Sequence, residues 1–275
     1  LVREYQGTQA HSACATYFNQ YFLRLGFEVN MQPFKARNYK GKILDGVNVI
    51  ASLNPTQQKR ILLCSHWDSR PFADHDPDVK NYYKPIDGAN DGASGVGVLM
   101  EVARQLQMQS PSVGIDIVLF DLEDYGQHDK EASMPQSEMS WALGSQYWGA
   151  NPHLPGYRAQ YGILLDMVGA KDAKFAHEYY SMQFAPAIVA KVWKAAQNAG
   201  YSNYFVDEEG GGVLDDHVFV NRLAHIPTID IIQFDKSTQS KFYTHWHTVE
   251  DNIQNIDPQT LKAVGQTLLE VIYRD

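Results

Sequence analysis

The feature that most restricts the fold of this chain is a set of short, unbroken apolar runs that lead straight into ligand-type polar residues. Ile61-Leu62-Leu63-Cys64 passes through Ser65 into His66-Trp67-Asp68, Ile115–Leu122 ends at Glu123-Asp124, and Ile163–Leu165 ends at Asp166. A strand that is apolar at every position, rather than at every second one, suits burial on both faces, as in a parallel sheet covered by helices. Segments of helical period separate the runs. Ser12–Leu25 carries Ala15, Phe18, Phe22 and Leu25 at helical spacing with Gly26 as its stop, and Ala93–Leu106 carries Val96, Leu99, Met100 and Ala103. Ala185–Ala199 and Pro258–Tyr273 are amphipathic in the same way. Phe27, Val29 and Met31 alternate as a half-buried strand, and Val47–Leu53, Arg60–His66, Tyr161–Leu165 and Pro227–Phe234 read as further strands. The polar stretch Trp67–Asn90 reads as irregular and Tyr125–Ser140 as a surface loop. Strands alternating with helices predict an α/β fold: one domain over residues 1–275, with a central mixed, mostly parallel twisted sheet flanked by helices.

Composition narrows the function by exclusion. A chain of 275 residues, 44% hydrophobic, buries roughly three-quarters of its unfolded surface and needs no disulfide staples. The net charge is −9 and no Lys/Arg cluster is present, which argues against nucleic acid as a partner. No apolar run approaches the roughly 18 residues of a membrane span, and no signal peptide is visible. The chain starts at Leu1 inside ordered-looking sequence, which suggests trimming and leaves the compartment open. Cys64 reads as a buried thiol within its apolar run; a bridge to Cys14 is left open.

In α/β sheets ligands bind beyond the carboxyl ends of the strands, and here those ends carry the chemistry. The loop Gly88-Ala89-Asn90-Asp91-Gly92 would expose a further carboxylate. Each feature has a plain reading: His66-x-Asp68 as a surface pair, Asp91 as a helix cap, Glu123-Asp124 as a solvated dipeptide. Their coincidence outweighs those readings, because carboxylates that follow buried runs are costly to desolvate unless something positive neutralises them. With no Lys or Arg close by in sequence, a metal cation is the natural partner. Zinc accepts His nitrogen and carboxylate oxygen, and a catalytic site uses three protein ligands and one open position. The histidine is expected from Asp215-Asp216-His217 or from His245-Trp246-His247-Thr248; two His at i and i+2 cannot share a helical face, so one of the latter pair ligates.

The stretches Ser65-His66-Trp67-Asp68-Ser69, Gly88–Gly95, Phe120–Asp124, Leu164–Ala170, Asp215-Asp216-His217 and Trp246-His247-Thr248 resemble those of glutaminyl cyclases of the animal type, relatives of the zinc aminopeptidases. The resemblance runs in family order from about residue 61 to 252 and implies a zinc-exopeptidase-like, phosphorylase/hydrolase-like fold. It implies one zinc held by Asp91, Asp124 and His247, with Glu123 as acid and base and Asp166 and Asp215 as hydrogen-bonded carboxylates around it. Trp246 would wall a substrate pocket beside Phe242 and Val213, Trp141 would supply another wall, and His66 and Asp68 would stand behind the ligands. The reaction implied is cyclisation of N-terminal glutaminyl residues to pyroglutamyl with release of ammonia, on peptide or protein partners, by a monomer. Animal members carry Glu where this chain has Asp124, a departure shared with bacterial relatives that implies a secreted or periplasmic protein. One rival reading is a two-zinc aminopeptidase, with His66 and Asp166 on a second ion and Asp91 bridging. Another is a binding module that keeps the fold without the chemistry.

Overall fold

The computed structural model of the protein describes residues 7–131 and 138–275. Strands β1 (Glu28–Arg37), β2 (Ile43–Leu53), β3 (Arg60–His66), β4 (Gly114–Phe120), β5 (Tyr161–Asp166) and β8 (Thr228–Ile232) form one sheet in the order β1-β2-β4-β3-β5-β8. Strands β4, β3, β5 and β8 run parallel, whereas β1 and β2 form an antiparallel hairpin at one edge. Strands β6 (Phe175–His177) and β7 (Phe205–Glu209) pair separately. Helices α1 (Gln9–Arg24), α2 (Ala93–Met108), α3 (Leu143–Ala150), α4 (Tyr179–Phe184), α5 (Pro186–Asn198), α6 (Asp216–Phe219) and α7 (Pro258–Tyr273) cover the sheet. The α/β class with a mixed, mostly parallel sheet is therefore the one expected from the sequence.

The burial of each strand follows its pattern. Every residue of β3, β4, β5 and β8 is buried, as the continuous runs require. The edge strand β1 buries only Phe34 completely. Side chains of β3 alternate between two cores. Ile61 and Leu63 join α1, α2, α5 and α7 on one face, while Leu62 and Cys64 meet Trp148, Val220 and Ile226 on the other. This settles the cysteines: Cys14 and Cys64 are buried thiols with no disulfide between them, and they belong to the cores on opposite faces of the sheet. One further point departs from the sequence reading, and part of the same segment is not described. Gly126, Gln127 and His128 are buried rather than part of a surface loop, and residues 132–137 of that loop lie outside the described residues. Among the described residues no helix is long and apolar enough to cross a membrane.

Helix α2 lies close over β3 and β5 because Gly95 permits it. A Cβ at Gly95 would press into Ser65 Oγ and the Leu165 carbonyl oxygen, and the carbonyl cannot swing away as a side chain can. The helix starts beside the ligand-type residues, so this approach sets the position of the Asp91 loop. Gly95→Ala is expected to cost about 1–3 kcal/mol, the usual range for overpacking, measured by chemical denaturation; a wild-type midpoint would show that the approach is not tight.

Candidate active site and metal centre

The carboxyl ends of β3, β4 and β5 converge on one crevice, where the order of connections along the sheet reverses. Strand β3 ends on His66 and β5 on Asp166. Strand β4 stops at Phe120, and Glu123 and Asp124 lie in the turn beyond it, with Leu122 left-handed at φ 60°. The alternation of strand side chains therefore does not govern that pair. Met167 (φ 47°) and His247 (φ 53°) are left-handed too. Such conformations cost of order 1–3 kcal/mol outside glycine and persist only where the surroundings over-determine them. Beside Met167 the amides of Val168 and Gly169 are held by Ser94 Oγ and Asn90 Oδ1, while the turn after Leu122 and the Asp91 loop are held by carboxylates that accept backbone amides. Asp68 accepts from the N–H groups of Glu123 (3.0 Å) and Asp124 (3.1 Å), and Asp251 from those of Asn90 (2.8 Å) and Asp91 (3.1 Å). Asp91 does not cap α2: the cap position is Gly92, and no side chain caps that terminus.

Asp91, Asp124 and His247 come together with one ligand atom each within 4.8 Å, all three buried. His247 Nε2 lies 3.2 Å from Asp124 Oδ1 and 3.6 Å from Asp91 Oδ2, and its Nδ1 lies 3.3 Å from Asp74 Oδ1. Asp124 Oδ2 is buried without a hydrogen-bond partner. One imidazole nitrogen, two carboxylates and a lone buried oxygen fit a zinc-type cation, with Asp74 placed to orient the imidazole through its other nitrogen. Burial and the Arg70 charge work to lower the His247 pKa, but Asp124 and Asp74 outweigh them and hold it up at about 9. Burial, then the charges of Asp124 and Asp166, raise Asp91 to about 6. Imidazolium and metal cation compete for the same negatively charged position.

A second group adjoins the first. His66 Nε2 stands 3.0 Å from Asp91 Oδ1 and 3.2 Å from Asp166 Oδ1, and its Nδ1 faces Asp68 at 3.5 Å. Gly92 makes room for this ring, since a Cβ there would press into it. Glu123, almost fully buried, is pushed well above the usual carboxylate range by burial and then by Asp124. Asp215 is raised in the same way by burial and then by Asp166; its side chain accepts from the Asp216 amide at the start of α6. His217 is turned away, with Nε2 on Glu178 at 3.1 Å, and it belongs instead to a group with Asp215 and Asp230.

These residues floor a cavity of about 470 Å³, whose lining includes Asp91, Glu123, Asp124, Asp166, Asp215 and His247 below and Trp141, Val213, Phe242 and Trp246 above. Trp246 stacks on His247 with ring centroids 3.8 Å apart, and Phe242 tilts against Trp246 at 4.8 Å. Phe242 and Val213 also pack on the small cluster of Met167, Ala170, Ile232 and Tyr243, so their packing role and their wall role coexist. Trp141 lies over Gly126, where a Cβ would enter the indole. Every site residue expected from the sequence thus faces or adjoins one cavity. Missed were Arg70, Asp74 and Asp251, which lie in polar stretches without periodicity. The sequence reading held that no Lys or Arg lay near these carboxylates, and Arg70 corrects it: its guanidinium is fully buried and 3.8 Å from Asp124 Oδ1.

Comparison with known proteins is consistent over the whole chain. The model of peptidase family M28 matches residues 48–272. Glutaminyl-peptide cyclotransferase of Bos taurus is 25% identical over 98% of this chain and 77% of its own length. The solved glutaminyl cyclase of Bacteroides thetaiotaomicron, bound to N-acetylhistamine, is 50% identical with a TM-score of 0.97, covering 99% of this chain and 92% of that one. A structure described as a leucine aminopeptidase precursor from the same organism is also 50% identical, with a TM-score of 0.95 and coverage of 99% and 91%.

The anchoring by Asp251 can be tested alone. Asp251→Asn turns one acceptor into a donor facing a backbone N–H, which leaves a buried amide unpaired at a cost of about 1–3 kcal/mol. Lower thermal stability and reduced metal content by elemental analysis are expected; full metal content at wild-type stability would show that Asp251 does not hold the Asp91 loop.

Proposed function

The chain belongs to peptidase family M28, and from that premise we propose that it is a glutaminyl-peptide cyclotransferase, converting N-terminal glutaminyl residues of peptides to pyroglutamyl with loss of ammonia. The observation that carries this reading is the likeness, over nearly the full length and at 50% identity, to a solved glutaminyl cyclase. The cavity agrees with it: a carboxylate-rich floor under walls of Trp141, Trp246, Phe242 and Val213 suits a short amide side chain held away from water.

In this reading Asp91, Asp124 and His247 hold one zinc, which when bound supplies Lewis-acid polarisation of the γ-carboxamide carbonyl. Glu123 takes a proton from the α-amine as that nitrogen bonds to the carboxamide carbonyl carbon, Cδ, and returns it to the amide nitrogen as the Cδ–N bond breaks, so that it leaves as ammonia. A carboxyl whose proton affinity is raised by burial and by Asp124 suits both halves of that transfer. Asp215, whose proton affinity is raised by burial and by the Asp166 charge, keeps the polar side of the floor neutral enough for an uncharged amine. Amine and carbonyl belong to one substrate residue, so orientation by the walls provides the approach that a two-substrate reaction would have to assemble. His66 and Asp68 support the ligands from behind. The same reading includes one catalytic domain, a monomer, and a secreted or periplasmic location.

A two-zinc aminopeptidase is the second reading, favoured by one observation: His66, Asp91 and Asp166 also bring three ligand atoms within 4.8 Å. Incubation with a Gln-initiated peptide separates the two. Loss of one ammonia by mass spectrometry supports cyclisation, whereas release of the first residue and two tightly bound zinc ions per chain support hydrolysis. Glu123→Gln is expected to lower turnover at least about a hundredfold with zinc retained, and His247→Ala to lose zinc. Near-normal turnover in the first variant would overturn the role of Glu123, and full zinc in the second would overturn the ligand set.

A further inference from the structure

We propose that Arg70 and Asp74 form a buried ionic brace that positions two of the metal ligands, Asp124 and His247, together with the pocket wall Trp141. The proposal rests on the ligand set put forward above. Both side chains are fully buried. Arg70 grips Asp74 with two parallel bonds, Nε to Oδ1 at 2.9 Å and Nη2 to Oδ2 at 2.6 Å. Its remaining donors reach two carbonyls in the segment after β4: Nη1 donates to Asp124 O at 2.9 Å and Nη2 to Gln127 O at 3.2 Å. The guanidinium also lies over the Trp141 ring at 4.6 Å from its centroid. Asp74 faces His247 Nδ1 at 3.3 Å with one oxygen and accepts the Asp129 amide at 3.0 Å with the other. One planar cation thus links the backbone of a carboxylate ligand, the carboxylate that orients the imidazole ligand, and an aromatic wall.

The arrangement answers a problem set by Asp124. A ligand one methylene shorter than Glu reaches a metal only if its backbone stands closer to it, and the Asp124 backbone is held on both sides: its N–H by Asp68 and its carbonyl by Arg70. A lysine has the charge but lacks the planar fork that serves Asp74 and Asp124 together. Asp74→Asn keeps the volume but removes the charge that orients His247 and pairs with Arg70.

The test measures zinc affinity of Arg70→Lys and Asp74→Asn by competition with a chelator, alongside melting of the zinc-loaded and zinc-stripped proteins and a kcat against KM comparison on a Gln-initiated peptide. Both variants are expected to bind zinc about 10- to 100-fold more weakly, the usual range for groups that orient metal ligands. Their loss of melting temperature should be larger in the loaded than in the stripped protein, and kcat should fall more than KM rises. Zinc affinity within twofold of wild type in Asp74→Asn, with loaded and stripped proteins destabilised equally, would overturn the proposal and leave the pair as packing alone. If Arg70→Lys does not fold, the near-isosteric Asp74→Asn decides. His247→Ala is the control for the underlying reading: zinc retained there means that the ligand set is wrong, whereas zinc lost there but held normally by Asp74→Asn means that only the brace is wrong.

Discussion

Everything at the active end of this molecule depends on carboxylates that have been taken out of water. A buried ionised carboxylate is costly unless it is paired or hydrogen-bonded, and the chain meets this demand in two ways. Far from the cavity, Asp116 on β4 is saturated: Arg60 Nε and Nη2 reach it at 2.7 Å each, Ser52 at 2.6 Å and Tyr157 at 2.7 Å. Such a carboxylate has nothing left to offer a ligand. Asp124 keeps one oxygen without a partner although it is equally buried. Asp216 and Asp230 are buried with unpartnered oxygens too, so what sets Asp124 apart is that its unpartnered oxygen belongs to a carboxylate grouped with Asp91 and His247 on the cavity lining.

Around the cavity the acids divide by task. Asp68 and Asp251 spend their oxygens on backbone amides, and Asp74 spends its own on Arg70, the Asp129 amide and the side of His247. These outer carboxylates accept from fixed donors and hold the segments that carry the inner ones. The turn held by Asp68 needs holding, because Leu122 before it adopts a left-handed backbone conformation that a free loop would leave. The rigid part of the fold supplies the reference: parallel strands buried on both faces, with α2 brought close by Gly95. Position passes from sheet to turn through the outer acids, and from turn to ligand through the backbone.

How much of this was legible in the sequence follows from the same division. The strands that bear the site were readable because burial on both faces leaves an unbroken apolar run, and His66, Asp124 and Asp166 were readable because they interrupt such runs. The hairpin of β1 and β2 was only half visible: Val47–Leu53 showed, but Ile43–Gly46 alternates over only four residues, with Leu44 as its one buried large side chain, and Lys35–Arg37 has exposed charged residues at both ends. The four-residue helix α6 carries less than a full amphipathic repeat, and the eight residues of α3 carry barely one. Arg70, Asp74 and Asp251 were missed for a different reason. Their importance lies in pairing across long separations, 54 residues from Arg70 to the Asp124 carbonyl and 161 from Asp251 to the Asn90 amide, and no local pattern encodes a pairing of that kind. The expectation that no cation stood near the acids failed because Arg70, only two residues beyond Asp68, was passed over as part of a polar stretch.

The division of labour also bears on why such a site would close a ring rather than cleave a chain. Polarising a carbonyl serves either outcome; what differs is the nucleophile. Hydrolysis needs a water molecule held and deprotonated beside the carbonyl, whereas cyclisation needs the substrate's own amine there and water kept out. Trp246 occupies the face of His247 at 3.8 Å, with Phe242 packed behind it and Trp141 and Val213 on the cavity lining. Apolar area so close to the ligands offers a water molecule few of the two to four hydrogen bonds it needs to remain, while it costs a neutral amine on a short tether little. On the polar side Glu123 is the carboxylate set between the apolar walls and the proposed ligand Asp124, and burial makes it ready to accept a proton and to give it back. A base that must return its proton to a leaving nitrogen within one substrate residue gains from that balance, and the aromatic walls keep the exchange between amine and ammonia instead of passing it to solvent.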